Sequence, residues 1–296
     1  MAPAHDMPAV LVTGSSSGIG EACALELDRR GCRVFAGVRS EVDGQRLGGQ
    51  ASPRLTPVML DVTDADSIAH AAAAIREATG ARGLDGLVNN AGVVVASPLE
   101  FLPLDELRRQ FEVNVVGQLA VTQAMLPILR AAGGRIVMIS SSSGFIAAPF
   151  IGPYAASKHA LGAIGDSLRV ELRRCGIRVS LVAPADVKTP IWEKSLEAVD
   201  RLRERMGAEG RGRHVQQEVQ DRYAEDMDAM KAATIRAAAR AMPVGRVVRA
   251  VVHALCAPEP RTRYLIGADT IVAARVLRHL PDRLRDWIIR RNFGLK

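Results

Sequence analysis

The sequence predicts a doubly wound α/β fold, a single parallel sheet with helices on both faces, and three observations lead to it. Short apolar runs without polar alternation recur through the first two-thirds of the chain, as strands buried on both faces do. Amphipathic helical patterns separate them, which is the mark of βαβ units. A glycine-rich turn joins the first apolar run to the first helix. At 296 residues the chain reads as one domain over 1–296, since α/β units of this length are often undivided.

The strand candidates are Ala9–Thr13, Arg33–Val38, Leu55–Leu60, Leu84–Asn89, Arg135–Ser140 and Ile177–Val182. Helical patterns fall between them, near Ile19–Arg30, Asp64–Thr79, Leu104–Arg130 and Tyr154–Cys175. After Pro190 the pattern changes. Ile191 to Ala241 offers no strand, and Val215, Val219, Tyr223 and Met227 form one apolar stripe on a charged helix. A turn is expected over residues 207–212, and the whole segment 190–242 reads as a helical lid. A helix (Val247–Cys256) and a last strand (Arg263–Gly267) follow. In the closing stretch, Ala273–Arg291, Leu280, Leu284, Trp287 and Ile288 alternate with arginines; Asp282 is placed to cap a helix after Pro281.

Composition narrows the class. The chain is 48% hydrophobic and 24% charged, ordinary for a globular protein with a sizeable core. No apolar run reaches the roughly 18–20 residues of a membrane span, and Met1–Pro8 lacks the stretches of a signal peptide. The expected location is therefore the cytoplasm. Cys23, Cys32, Cys175 and Cys256 have no C-x-x-C spacing; they read as small buried hydrophobes, and no metal is expected. The net charge of +7 is concentrated at the end, where residues 259–296 carry nine Lys/Arg against four Asp/Glu. Such a balance suits a phosphate-bearing cofactor or an anionic membrane. Without interleaved aromatics or a recognisable motif, nucleic acid is not an expected partner. The basic end has two readings: a helix docked over the pocket mouth, or a helix lying peripherally on an anionic membrane.

Three motifs carry chemistry. Val10-Leu-Val-Thr-Gly-Ser-Ser-Ser-Gly-Ile-Gly20 places glycines at 14, 18 and 20 between strand and helix. Such a turn brings backbone close to a pyrophosphate at a positive helix N-terminus. The spacing is G-x-x-x-G-x-G, and no Gly-Lys-Ser/Thr follows, which excludes a Walker phosphate loop. Leu87-Val-Asn-Asn-Ala-Gly92 ends the fourth strand and leaves room for a flat ring beside Ala91 and Gly92. Tyr154-Ala-Ala-Ser-Lys158 opens a helix and puts phenol and ammonium on one face. A phenol titrates near 10, too high for a base at neutral pH, and a neighbouring ammonium would lower it. Taken singly, each motif is compatible with a structural turn or a surface pair.

In this order and spacing the three resemble the short-chain dehydrogenase/reductase family, over Val10 to about Pro190 and again near Val244–Gly267. The hydroxysteroid and retinol dehydrogenase branch is the nearest in character. The resemblance implies a Rossmann fold and a catalytic set of Asn114, Ser141, Tyr154 and Lys158. Ser141 stands 13 residues before the tyrosine within Ser140–Ser143, and Asn114 lies in Phe111-Glu-Val-Asn. It implies that Ser141 and Tyr154 hold a carbonyl oxygen while Tyr154 exchanges its proton, and that Lys158 lowers the tyrosine pKa. Asn114 would position a proton-relaying water. The implied cofactor contacts are Gly14, Ser16, Ser17, Gly18, Ile19 and Gly20, then Asp61 and Val62, then Asn89, Ala91 and Gly92. Tyr154, Lys158 and the loop residues Pro184, Val187 and Thr189 would hold the nicotinamide end, with Ala185 where the family has glycine.

Cofactor choice turns on Val38-Arg39: the family's acid for NAD is replaced by Val38, and Arg39 suits a 2′-phosphate. NADP is expected, with NAD left open by Glu41 and Asp43. Apolar loops at Val93–Ala96, Phe145–Ile151 and Ile191-Trp192 point to a hydrophobic alcohol or carbonyl substrate, steroid-, retinoid- or lipid-like. The resemblance also implies a homo-oligomer. A catalytically idle dinucleotide-binding regulator is the alternative.

Overall fold

The computed structural model describes residues 7–191 and 212–295. Seven parallel strands form one sheet: β1 (Ala9–Val12), β2 (Arg33–Val38), β3 (Leu55–Met59), β4 (Gly86–Asn89), β5 (Arg135–Ile139), β6 (Arg178–Pro184) and β7 (Arg263–Ile266). Their order is β3-β2-β1-β4-β5-β6-β7. The chain winds outward from β1 to β3, then crosses back to β4, which pairs with the other side of β1. Loops leaving β1 and β4 therefore diverge and open a crevice at the carboxyl ends of the strands.

Successive side chains of a strand face opposite sides of the sheet, and the core divides accordingly. Leu11, Leu87, Ile136 and Met138 pack into one layer; Val12, Val88, Val137 and Ile139 pack into the other. The first layer is closed by α3 (Ala65–Thr79), α5 (Gly117–Ala132) and α6 (Gly152–Glu171); the second by α1 (Gly18–Arg29), α2 (Glu41–Gly48) and α8 (Gly245–Cys256). On α5, Val121, Met125 and Leu129 are fully buried; each contributes about 1.5–3 kcal/mol relative to exposure. By length and composition residues 104–132 could cross a membrane, yet Val121, Met125 and Leu129 lie in the core of the fold.

Several expectations need correction. The helix expected near 104–130 runs unbroken from 104 to 132, but it is not uniformly α-helical. α4 (Leu104–Phe111) passes into α5 through a π-helical turn, Glu112–Val116, where Gly117 N–H donates to the Glu112 carbonyl. α2 was absent from the pattern because it is short and contains glycine; its signals are the Ser40 cap, whose Oγ accepts the Asp43 N–H, and acids in the first turn. β6 runs two residues beyond Val182 because β7 pairs with it as far as Pro184. Cys23 and Cys32 are buried, but Cys175 and Cys256 are exposed at helix ends.

Beyond β6, α7 (Gly212–Arg240) forms the described part of the expected lid. Of the turn expected over 207–212, only Gly212 is among the described residues; Trp192 and the side chains of Val215 and Val219 also lie outside them. After β7 come α9 (Ala268–Arg275), a short turn and α10 (Asp282–Phe293).

Candidate active site

The loops at the carboxyl edge of the sheet enclose one cavity of about 710 Å³. Its floor at the crevice is the glycine-rich turn. Gly14 has φ +64, and a Cβ there would lie 2.9 Å from the Ala91 Cα, while a Cβ on Gly20 would collide with the Gly14 carbonyl. Only glycine fits either place. The turn is held from two sides: Asn90 donates through Nδ2 to the carbonyls of Thr13 (2.9 Å) and Gly14 (3.1 Å), and Arg46 of α2 donates to the Ser16 carbonyl at 2.6 Å while pairing with Glu21. A backbone cradle at the mouth of α1, with no side chain able to enter, fits a dinucleotide pyrophosphate.

Gly14, Ser16, Ser17, Gly18, Ile19, Arg39, Asp61, Val62, Ala91, Gly92, Tyr154, Lys158, Pro184, Val187 and Thr189 line this cavity as expected. Gly20, Asn89 and Asn114 do not. Gly20 stands behind the turn and lets it close. Asn89 faces the core, donating to Thr122 Oγ1 at 2.8 Å, so Asn90 takes its expected place at the cavity. Asn114 is fully buried in the π turn; Oδ1 accepts the Val93 N–H, and Nδ2 donates to the Val93 carbonyl and Ser157 Oγ. Its amide ties the loop after β4 to α6, so it braces the cavity from behind. Burial raises the Asp61 carboxyl, but the Thr63 N–H and hydroxyl and the Arg39 charge outweigh it and hold the group below its ordinary value.

The serine, tyrosine and lysine converge. Ser141 caps the short turn Ser142–Gly144, and its Oγ accepts the Ser143 N–H at 3.1 Å, leaving the hydroxyl proton to donate. Tyr154 and Lys158 lie one turn apart on α6, with Nζ 5.7 Å from the phenol ring centre. Lys158 is buried; Nζ donates to the Ile139 carbonyl at 2.8 Å. Burial lowers the ammonium to about 8. The expectation that Lys158 depresses the phenol is not met here. Burial raises Tyr154 above its ordinary value, a Ser141 hydrogen bond opposes this, and the charge of Asp186 adds to it.

The substrate side mixes expected and unexpected walls. Val93, Val94, Ala96, Phe150, Ile151 and Ile191 line the cavity, whereas Phe145 packs away from it against Ala183 and Ala273. Sequence reasoning missed Asn90, Asp186 and most of the cavity face of α7: Met230, Lys231 and Thr234, which join Met227 of the expected stripe. Residues 227, 230, 231 and 234 have the i, i+3, i+4, i+7 spacing of one helix face, which meets the expected stripe only at Met227. Tyr223, from that stripe, instead donates to Glu100 at 2.7 Å and packs edge-on against Phe101 and Phe150.

A doubly wound sheet with this cradle, and with Ser141, Tyr154 and Lys158 brought to the same cavity, defines an NAD(P)-dependent oxidoreductase that interconverts alcohols and carbonyl compounds. The chain belongs to the short-chain dehydrogenase family, whose sequence pattern matches residues 8–200. It is 35% identical over 286 residues to 17-beta-hydroxysteroid dehydrogenase type 6 of Homo sapiens, covering 96% of this chain and 88% of that protein. It is 36% identical over 282 residues to retinol dehydrogenase 7 of Mus musculus, covering 95% and 87%. Identity is 32% over 283 residues to NADPH-dependent 3-dehydrocapnine reductase of Ornithobacterium rhinotracheale, with 94% of each chain covered. The relatives fall in the expected hydroxysteroid and retinol branch, and nothing supports an idle regulator.

Proposed function

We propose that the protein uses NADP(H) in preference to NAD(H) and interconverts a secondary alcohol with its ketone, or a primary alcohol with its aldehyde, on a large apolar, steroid-, retinoid- or lipid-like molecule. The observation that carries this is the composition of one cavity: Arg39 at its nucleotide end, Ser141 and Tyr154 midway, and apolar walls from Val93, Phe150, Ile151 and Met230 beyond them. Arg39 presents a fork of donors suited to a 2′-phosphate, and no acid lines the cavity at the end of β2. The NADPH-dependent relative agrees with that choice, and the steroid and retinol relatives agree with the apolar walls.

The chemistry then divides simply. The nicotinamide, when bound, supplies or accepts the hydride. Lys158 and the loop Pro184, Val187 and Thr189 hold that end. Ser141 donates a hydrogen bond to the substrate oxygen, and Tyr154 gives it a proton in reduction or takes one in oxidation. Asn114 acts as a positioning residue through Val93 and Ser157. A screen of hydrophobic ketones with NADPH and NADH tests this reading. It predicts turnover favouring NADPH and growing with apolar bulk; equal use of NADH, or no turnover with any ketone, contradicts it.

Attachment to a membrane surface from the cytoplasmic side is part of the same proposal. On α10, Leu284 and Trp287 are 45% and 56% exposed, and Arg291 stacks on the indole at 5.5 Å. Such a helix suits an anionic interface. Pairing of two copies through the helical segment 104–132 and α6 is proposed on the exposed Val116 of the π turn and Val170 of α6.

A further inference from the structure

Asp186 lies in the same cavity as Ser141 and Tyr154, at a position the catalytic scheme does not use. Its main chain is fixed on both sides. The Asp186 carbonyl accepts the Met242 N–H at 2.9 Å, Lys188 N–H returns a 2.9 Å bond to Met242, and Ala185 N–H bonds Ile266 at the end of β7. The side chain is therefore presented by a braced segment. Among the described residues its carboxylate has no hydrogen bond and no salt bridge. Burial and a second acid, Asp269 of α9, both raise it; neither Lys158 nor Lys231, which also line the cavity, is among the groups acting on it. Its charge reaches the Tyr154 phenol. An unpaired, partly buried carboxylate is costly unless a ligand supplies the partner, and two neighbouring acids favour a cation over a neutral donor.

We propose that Asp186 anchors a protonated amine on the substrate, close to the reacting carbon. The preferred substrate is then an apolar amino alcohol or amino ketone. This rests on the cavity being the oxidoreductase site proposed above, and it narrows the substrate class.

Equilibrium titration of the NADPH-loaded enzyme decides it, because an alcohol added to that form binds without reacting. The probes are 2-amino-3-decanol and 3-decanol at pH 7, where the amine is charged. The parent should bind the amine about 10- to 100-fold tighter, the range of one charge-assisted hydrogen bond. Asp186→Asn should reduce the ratio to within about threefold, and Asp186→Glu should retain part of it. Equal affinities in the parent, or a preference that survives Asp186→Asn, overturns the assignment. So does a variant whose only loss is affinity for NADP+, which would place the carboxylate on the nicotinamide. Turnover of the two corresponding ketones is read separately: an amine preference without turnover supports the anchor and sinks the oxidoreductase reading.

Discussion

Lys158 reaches from α6 to donate a 2.8 Å hydrogen bond to the carbonyl of Ile139, the last residue of β5. The bond fixes the ammonium beside Tyr154, in a place where burial lowers it to about 8 from an ordinary 10.5. Between those two pH values the unfolded chain binds the proton and the folded chain does not. This group's contribution to stability therefore rises with pH across that window, and its cost is full below about 8. Lys158→Met removes the titration. The melting temperature of the variant relative to the parent should fall steadily from pH 7.5 to 10; a difference independent of pH contradicts the buried-ammonium account.

Arg39 carries the cofactor choice. Arg39→Asp should weaken NADP(H) binding about 10- to 100-fold, the loss of a charge-assisted contact, and leave NAD(H) binding equal or better. Fluorescence titration of the reduced nucleotides checks it. A parent that already prefers NAD(H), or a variant that keeps its preference for NADP(H), shows that Arg39 does not read the phosphate.

The two asparagines after β4 should separate by readout. Asn90→Ala frees the Thr13 and Gly14 carbonyls and should weaken nucleotide binding several-fold with modest loss of stability. Asn89→Ala leaves Thr122 in the core without its 2.8 Å partner and should cost about 1–3 kcal/mol of stability, with nucleotide affinity nearly kept. Denaturant melts and nucleotide titrations on both variants decide, and the reverse pattern would restore Asn89 to the site.

Tyr223 fastens α7 to the segment carrying Glu100 and to Phe150 of the cavity wall. Tyr223→Phe keeps both ring contacts and removes the hydroxyl. The KM for an apolar ketone should rise about 2- to 10-fold, as expected for one net hydrogen bond, with kcat little changed. A fall in kcat at constant KM would place Tyr223 in the chemistry and remove it from the lid.

The sheet was legible because its strands are buried on both faces, so Leu11, Val12, Leu87 and Val88 announce themselves without alternation. The cradle and the Ser141, Tyr154 and Lys158 set were legible because their roles fix local spacing. What escaped depends on neighbours distant in sequence. Nothing near Asn89 and Asn90 says which of them faces Thr122. Whether Lys158 or burial governs the Tyr154 phenol depends on how closely β5, α6 and the 184–189 loop meet. The cavity face of α7 is set by its rotation against Phe101 and Phe150, which a stripe of apolar residues alone does not define.

Tyr154 is the group through which the whole account passes, and Tyr154→Phe tests it with the ring packing preserved. The measurement is the rate of NADPH oxidation with an apolar ketone at saturating cofactor, parent against variant, with nucleotide affinity measured on both. Loss of a positioned acid should lower kcat by about two to four orders of magnitude while NADPH affinity stays within about threefold. A variant that turns over within tenfold of the parent would show that the proton comes from elsewhere, and the proposed chemistry would be wrong.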